Sequence, residues 1–172
     1  MDISLAVSIA SAAAAVAAVA IAVRQTRSMA RQALLPVVLG TFQEARSPEW
    51  FEARDYIFER LAEDHSPERG VSGLPDPARS AIRKIGFLFD NAGLLIAHGA
   101  VSEELILGFF GESIPKFWEI LAPFIRREAE IRHMGYMVFF EHLVVRAQMR
   151  STDDIRRDLG LRQLGDDQPP SA

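Results

Sequence analysis

Residues 77–97 read PARSAIRKIGFLFDNAGLLIA, and beyond the first turns their apolar side chains cover most sides of a helix. A helix that is apolar all round lies at the centre of a core. The pair Asp76-Pro77 predicts the start of this helix, as a capping residue followed by a proline, and Gly99 predicts its end. The apolar positions are Ile82, Ile85, Phe87, Leu88, Phe89, Ala92, Leu94, Leu95 and Ile96.

A second helix is predicted upstream, from Pro48 to about Glu63. Ser47 can cap this helix, and the carboxylate of Glu49 meets the positive end of its dipole. Residues 65–76, HSPERGVSGLPD, separate the two helices and contain the glycine and proline breakers of a polar loop. The apolar face of the second helix has helical spacing and comprises Trp50, Ala53, Ile57 and Leu61.

Helical spacing continues downstream, and no segment alternates in the manner of a strand. Ser102 is predicted to cap a short helix, and Thr152 is predicted to cap a last one that ends at Gly160. Pro123 lies inside the longest downstream pattern, so we expect a kink there or two abutting helices. The chain is therefore predicted to be all-α, with a compact domain of about six helices. These helices are residues 37–46, 48–63, 77–97, 103–110, 112–132 and 136–149.

The segment from Ile3 to Val23 contains 21 residues and no charge. A helix needs about 20 apolar residues to cross the hydrocarbon core of a bilayer. We therefore predict a single N-terminal transmembrane helix, with residues 1–23 as the anchor. Ten of the 21 residues are alanine, three are serine and eight are Ile, Leu or Val. Those eight contribute roughly 0.3–0.6 kcal/mol each at a helix centre, so insertion is expected to be marginal.

The flanking charges predict the orientation of this segment. Lys and Arg are retained on the cytoplasmic side, and Arg24, Arg27 and Arg31 follow the segment whereas no basic residue precedes it. The N-terminus is therefore predicted to lie outside the cell membrane, and the main domain in the cytoplasm. Residues 24–35 are expected to form a basic juxtamembrane helix that ends at Pro36. The lipid bilayer is thus the first predicted partner.

Other interpretations of the N-terminal segment stay open. A secretory signal peptide would carry a positive n-region, which Met1-Asp2 lacks. In a soluble protein, an alanine-rich helix would instead pack on the domain. Ser4, Ser8 and Ala12 are small residues at four-residue spacing, and such residues let helices approach closely. This spacing also predicts a homo-oligomer formed through the N-terminal helix.

The composition excludes several classes of function. The net charge is −4 with a pI near 5.6, and both signs are interspersed, so a nucleic-acid partner is not expected. The chain contains no cysteine, which excludes disulfides, thiolate catalysis and zinc sites built from Cys. The predicted cytoplasmic domain, residues 36–150, is long enough for a hydrophobic core. Residues 151–172 are expected to form the short last helix and a disordered tail.

The most conspicuous polar pair is Asp90-Asn91, which lies inside the apolar run of residues 77–97. A buried carboxylate is costly unless it is paired. One interpretation is a structural cluster, in which Asp90 accepts from an Arg or from backbone amides at a helix end. The other is a ligand or partner pocket near Asp90, Asn91 and Glu141. Gly93 is expected to let another helix approach closely.

No catalytic residue, cofactor site or metal site is predicted. The spacing Glu130-x-x-His133 occurs in di-iron carboxylate sites, but such a site needs a second copy and two further glutamates. The four histidines have no zinc-site spacing, and no phosphate-binding loop or nucleophile elbow is present. We therefore predict a chain that is not an enzyme.

Several motifs are spread over most of residues 20–148. They are Leu35-Pro36-Val37-Val38 before Phe42, Ser47-Pro48-Glu49, Gly73-Leu74-Pro75, Phe89-Asp90-Asn91-x-Gly93-Leu94-Leu95-x-x-x-Gly99, Trp118, Pro123 and Phe140-Glu141-x-Leu143. In these motifs the chain resembles an uncharacterised bacterial family of small proteins with one N-terminal membrane helix and a helical domain of unknown function. The resemblance implies an architecture and leaves the activity open. Together with the anchor, it predicts a membrane-anchored interaction or regulatory domain that binds a protein partner. The alternative is an enzyme or small-ligand sensor.

Overall fold

The structure is a computed structural model, and it describes residues 18–19, 21–22, 36 and 38–162. These residues contain helices and no strand, so the all-α prediction is confirmed. Residues 38–44 are helical, and seven α-helices follow from residue 48 onward. They are α1 (Pro48–Tyr56), α2 (Ala62–Asp64), α3 (Ala78–Ala97), α4 (Glu103–Phe110), α5 (Ser113–Arg132), α6 (Val138–Met149) and α7 (Thr152–Asp158).

The helix predicted from Pro48 is present and begins at that residue. The hydroxyl of Ser47 accepts a hydrogen bond from the backbone N–H of Trp50 at 3.1 Å, as expected of an N-cap. A π-helical turn, Ile57–Leu61, joins α1 to α2, and a 3-10 turn follows at Pro67–Arg69. The predicted apolar face is buried, since Trp50, Ala53, Ile57 and Leu61 are at most 7% exposed.

Helix α3 is the central element, and it packs against α1 and α6. Its end is as predicted, because Gly99 adopts a φ of 63°, which glycine tolerates without strain. Its start is not: Pro77 occupies the N-cap position, and the carboxylate of Asp76 accepts from Ser80 Oγ and from Arg79, each at 2.8 Å. Phe87 is also not a core residue, since it is 44% exposed.

Aromatic rings fill the centre of the domain around Phe89. This residue is fully buried on α3, and its ring lies 5.5 Å from Phe110, 5.5 Å from Phe117 and 5.1 Å from Phe140. The three neighbours come from α4, α5 and α6. Aromatic pairs at these separations add about 0.5–1.5 kcal/mol to the burial of their area. The ring of Phe89 therefore ties four helices into one core.

One downstream expectation is narrowed and another needs correction. Pro123 lies inside α5, which is a single helix from Ser113 to Arg132, so two abutting helices are excluded and the kink stays a prediction. The cap of α7 is Ser151 and not Thr152, because the Ser151 hydroxyl accepts from the backbone N–H of Asp154 at 3.1 Å. The short last helix itself is present.

The chain from Gly40 onward forms one compact unit, and the preceding residues belong to a separate one. Most of the predicted anchor lies outside the described residues, as do Arg24, Arg27, Arg31, the juxtamembrane helix 24–35 and the tail from 163. Among the described residues of the anchor, Val19 and Ile21 are helical and more than half exposed. In the part of the chain that the structure describes, no helix is long and apolar enough to cross a membrane.

Candidate functional site

Asp90 lies in the middle of α3 and caps a different helix. Its Oδ1 atom accepts hydrogen bonds from the backbone N–H groups of Phe139 at 2.9 Å and Phe140 at 3.0 Å. Both amides belong to the first turn of α6, where N–H groups have no partner within their own helix. The residue at the N-cap of α6, Met137, supplies no side-chain hydrogen bond. The carboxylate of Asp90 thus takes the role of the missing cap.

Two glycines let α6 begin so close to α3. A Cβ atom on Gly93 would lie 2.0 Å from the backbone oxygen of Phe139, and a Cβ on Gly86 would lie 2.4 Å from the sulfur of Met137. Gly86, Asp90 and Gly93 are spaced by four and three residues, so they share one face of α3. This face, which we call the docking stripe, receives the start of α6. The close approach expected at Gly93 is therefore observed.

The other two residues of the proposed polar cluster lie apart from the Asp90 contact. Glu141 is exposed, and its carboxylate pairs with Arg126 at 3.0 Å. Asn91 is exposed on the next position of α3. Within the described residues, no hydrogen bond or ion pair joins Asp90, Asn91 and Glu141 to one another. The structure therefore does not join the three residues into a single polar site.

Asn91 borders an open cleft of about 420 Å³ between helical residues 40–44 and α3. We call it the Asn91 cleft. Arg83, Lys84 and Phe87 also line it, as do Glu44 and Thr41 from the other wall. Lys84 pairs with Glu44 at 2.6 Å. Neither Asp90 nor Glu141 contributes to this cleft.

A second open cleft, of about 540 Å³, lies between α1 and α3. Glu49, Glu52 and Tyr56 form its α1 wall, and Lys84 stands on the α3 wall. The backbone N–H of Glu49 and the hydroxyl of Ser47 lower the pKa of the Glu49 carboxyl, which keeps this wall negative. We call it the α1–α3 cleft. The net charge of its lining is negative, whereas that of the Asn91 cleft is positive.

Glu128 is a charged side chain that no pattern in the sequence singles out. It is 0% exposed, and its Oε2 atom accepts from the backbone N–H of Ser72 at 2.8 Å and from the Ser72 hydroxyl at 2.9 Å. Arg132 donates to Oε1 at 2.5 Å. Burial works against the charged form of Glu128, but these hydrogen bonds outweigh it and lower the pKa of the carboxyl. The contact fixes the loop of residues 65–77 on α5.

A third feature is a groove of about 390 Å³ between α4 and α7. Its polar border is occupied, since Glu104 pairs with Arg150 at 2.5 Å and Arg156 with Glu112 at 3.3 Å. Several apolar residues that line it are more than 40% exposed, namely Leu105, Phe109, Leu159 and Leu161.

Comparison with known proteins places the chain in a family. A family model described as "Domain of unknown function (DUF4760)" matches residues 7–147, which is most of the sequence. The chain belongs to the DUF4760 family. The resemblance to an uncharacterised family is therefore confirmed, whereas the membrane helix and the bacterial source stay predictions. No curated protein and no solved structure matches the chain.

The DUF4760 match covers the features that organise the domain. It includes the docking stripe on α3, Glu128 on α5 and nearly all of α6. It begins at residue 7, within the uncharged segment, so this segment is largely part of the DUF4760 region. Helix α7 lies beyond the matched residues, and so does the wall that it forms in the groove between α4 and α7.

Proposed function

We propose that this chain is a non-catalytic binding domain that its N-terminal segment holds at a membrane. The observation that carries the proposal is the uncharged segment Ile3–Val23, which is followed by Arg24, Arg27 and Arg31. Its length suits one crossing of a bilayer, and the arginines favour a cytoplasmic domain. A protein of the same membrane is the partner that this location favours.

The hydrogen bonds of two carboxylates in the domain favour binding over catalysis. The carboxylate of Asp90 is occupied by the amides of α6, and that of Glu128 is occupied by Ser72 and Arg132. A general base needs a carboxylate or imidazole that can reach a substrate proton. Both carboxylates instead hold parts of the fold together, which favours a structural role over a catalytic one for Asp90 and Glu128.

The membrane anchor is tested by carbonate extraction of membranes from cells that make the full chain. Val16→Asp places a charge near the centre of the segment at a cost of about 2.5–3.5 kcal/mol, which cancels most of the gain from the aliphatic residues. The unchanged chain and the control Val16→Leu should stay in the pellet, and Val16→Asp should be released. Release of the unchanged chain would favour the soluble alternative, in which the alanine-rich helix packs on the domain or self-associates.

The orientation is tested by cysteine labelling, which is simple because the chain has no cysteine of its own. Asp2→Cys should react with a membrane-impermeant maleimide in intact cells. Ser66→Cys lies in an exposed loop of the domain and should react only after permeabilisation. The reverse pattern would contradict the N-out orientation.

The partner is sought by crosslinking in native membranes, followed by purification of the full chain. A membrane protein that is captured with Val16→Leu and lost with Val16→Asp would support an adaptor or regulator. Capture of the chain by itself, abolished by bulky residues at Ser4 and Ser8, would support the homo-oligomer instead. Failure to capture any specific protein would count against the adaptor.

A further inference from the structure

The Asn91 cleft has the size and the mixed lining of a small-molecule site. Its volume is about 420 Å³, and small-molecule sites typically span roughly 300–1,000 Å³ with a few polar groups on apolar walls. Gly40 stands at its border without a side chain, and a Cβ there would meet no atom within 4 Å. The cleft is therefore open to a ligand.

The charges that line this cleft favour an anion. Arg83 and Lys84 both face it, and Glu44 is the carboxylate on the opposite wall. Lys84 neutralises Glu44 at 2.6 Å. Arg83 forms no ion pair with a carboxylate in the part of the chain that the structure describes, although its charge also acts on Asp76 and on the hydroxyl of Tyr136. The side chains that line the cleft therefore carry one net positive charge. A guanidinium binds carboxylate or phosphate oxygens through two parallel hydrogen bonds.

One wall of the cleft is an aromatic ring. Phe87 is 44% exposed although it belongs to the central helix. Its ring meets Tyr136 edge-on, with centroids 6.2 Å apart and planes at 71°. A flat ligand that covers the exposed part of Phe87 would remove apolar surface from water and gain a ring contact. Asn91 adds an exposed amide that can donate and accept on the same side.

From this arrangement we propose that the Asn91 cleft binds a small soluble ligand that joins an aromatic ring to a phosphate or carboxylate group. The inference rests on the proposed binding function and names its ligand class. The α1–α3 cleft is unsuited to such a ligand, because Glu49 and Glu52 face it across from Lys84. Arg83 holds the anionic group, Phe87 covers the ring, and Asn91 orients the ligand.

The test is calorimetric titration of the full chain, purified in nonionic detergent, with detergent alone as the blank. Phenyl phosphate should bind with saturation, inorganic phosphate should bind more weakly, and benzylamine, which carries the opposite charge, should not bind. No saturable binding of phenyl phosphate, or equal binding of benzylamine, would overturn the proposal.

Variants locate the site. Arg83→Gln should weaken phenyl phosphate binding by roughly tenfold to a hundredfold, the range for a lost charge-assisted pair. The matched control is Arg79→Gln on the same helix, whose side chain pairs with Asp76 and does not line the cleft. Glu44→Gln should tighten binding, because it removes a negative charge and releases Lys84. A merely structural role for these residues would not produce a gain in affinity, and an unchanged affinity in Arg83→Gln would disprove the assignment.

Two further measurements separate the ligand class from its alternatives. Phe87→Leu should reduce the preference for phenyl phosphate over inorganic phosphate and leave inorganic phosphate binding unchanged. Dihexanoyl phosphatidate, a lipid phosphate that dissolves as a monomer, should compete no better than inorganic phosphate. If it binds more tightly than phenyl phosphate, the cleft recognises a lipid headgroup and the proposal fails. Carbonate extraction is independent of all these titrations, so failure of the membrane anchor is distinguished from failure of the ligand site.

Discussion

The carboxylate of Asp90 accepts a hydrogen bond at 2.9 Å from the backbone N–H of Phe139, which lies 49 residues further along the chain. A residue in the middle of one helix thereby caps the start of another. The negative charge also faces the positive end of the α6 dipole. This contact and the glycines beside it fix where α6 begins on α3.

Asp90→Ala should therefore destabilise the domain by about 1–3 kcal/mol, since it leaves two backbone N–H groups of α6 without their acceptor. Asp90→Asn keeps an oxygen but loses the charge, and it should cost less. The free energy of unfolding is measured by guanidinium titration of the full chain in detergent, with the fluorescence of Trp50 and Trp118 as the signal. Glu141→Gln removes an exposed ion pair as the control and should change stability by less than about 1 kcal/mol.

This measurement also separates the two interpretations of Asp90. If Asp90→Asn left the free energy of unfolding unchanged but abolished the binding of a ligand by the full chain, the residue would be part of a ligand site. A loss of stability that accounts for the loss of binding would assign it to the fold. The two hydrogen bonds that Asp90 accepts from α6 lead us to expect the second result.

Gly93→Ala should be more damaging than a single methyl group suggests. The new Cβ would lie 2.0 Å from the backbone oxygen of Phe139, so α6 has to move. Such overpacking costs about 1–3 kcal/mol. The control is Gly108→Ala in α4, where the nearest atom is 3.7 Å away on Ile155, an ordinary contact. There alanine should raise the free energy of unfolding by about 0.5–1 kcal/mol through its helix propensity. Equal effects at the two glycines would contradict the close approach of α6.

Glu128 should make the stability of the domain depend on pH in the acid range. Its pKa is lowered in the folded state, so its contribution is present above the unfolded value, which is 4.5, and is lost as the pH falls through the folded pKa. Glu128→Gln should lower the free energy of unfolding by about 1–3 kcal/mol at pH 7. The difference in this free energy between the variant and the unchanged chain should become smaller below pH 4.5. Denaturant titrations at several pH values provide the comparison.

The exposed neighbour Glu130 provides the control for this experiment. Its carboxylate pairs with Arg127 at 2.8 Å and its side chain is 65% exposed. Glu130→Gln should therefore leave the acid dependence close to that of the unchanged chain. If the difference in the free energy of unfolding became smaller at low pH for both variants, the net charge, and not the buried Glu128 contact, would control the dependence of stability on pH.

Much of the helical architecture could be predicted from local patterns, whereas the long-range partners could not. The face of Trp50, Ala53, Ile57 and Leu61 follows directly from helical spacing, and these residues are buried. A carboxylate inside an apolar helix indicates that Asp90 needs a donor, but nothing in the spacing says which donor. Gly93 indicated a close neighbour without naming Phe139.

The errors have physical causes as well. Glu128 stands among Arg and Glu residues, so its surroundings in sequence predict an exposed surface. It is buried because the loop that contains Gly70 and Ser72 folds over its carboxylate. Phe87 belongs to an apolar run, but helical residues 40–44 cover its side of α3 only in part, and the Asn91 cleft stays open between them. A sequence pattern records how apolar a helix is and not how many neighbours it has.

The serines that precede α1 and α4 provide the last prediction, because the sequence assigns both as caps and the structure separates them. The Ser47 hydroxyl accepts from the backbone N–H of Trp50 at 3.1 Å. The side chain of Ser102 accepts no capping hydrogen bond from α4 and interacts with the Glu104 carboxylate instead. Ser47→Ala should therefore lower the free energy of unfolding by about 1 kcal/mol, and Ser102→Ala should have an effect within about 0.5 kcal/mol. Guanidinium titration of both variants tests the difference. A larger loss at Ser102 would mean that its side chain caps α4 in solution after all.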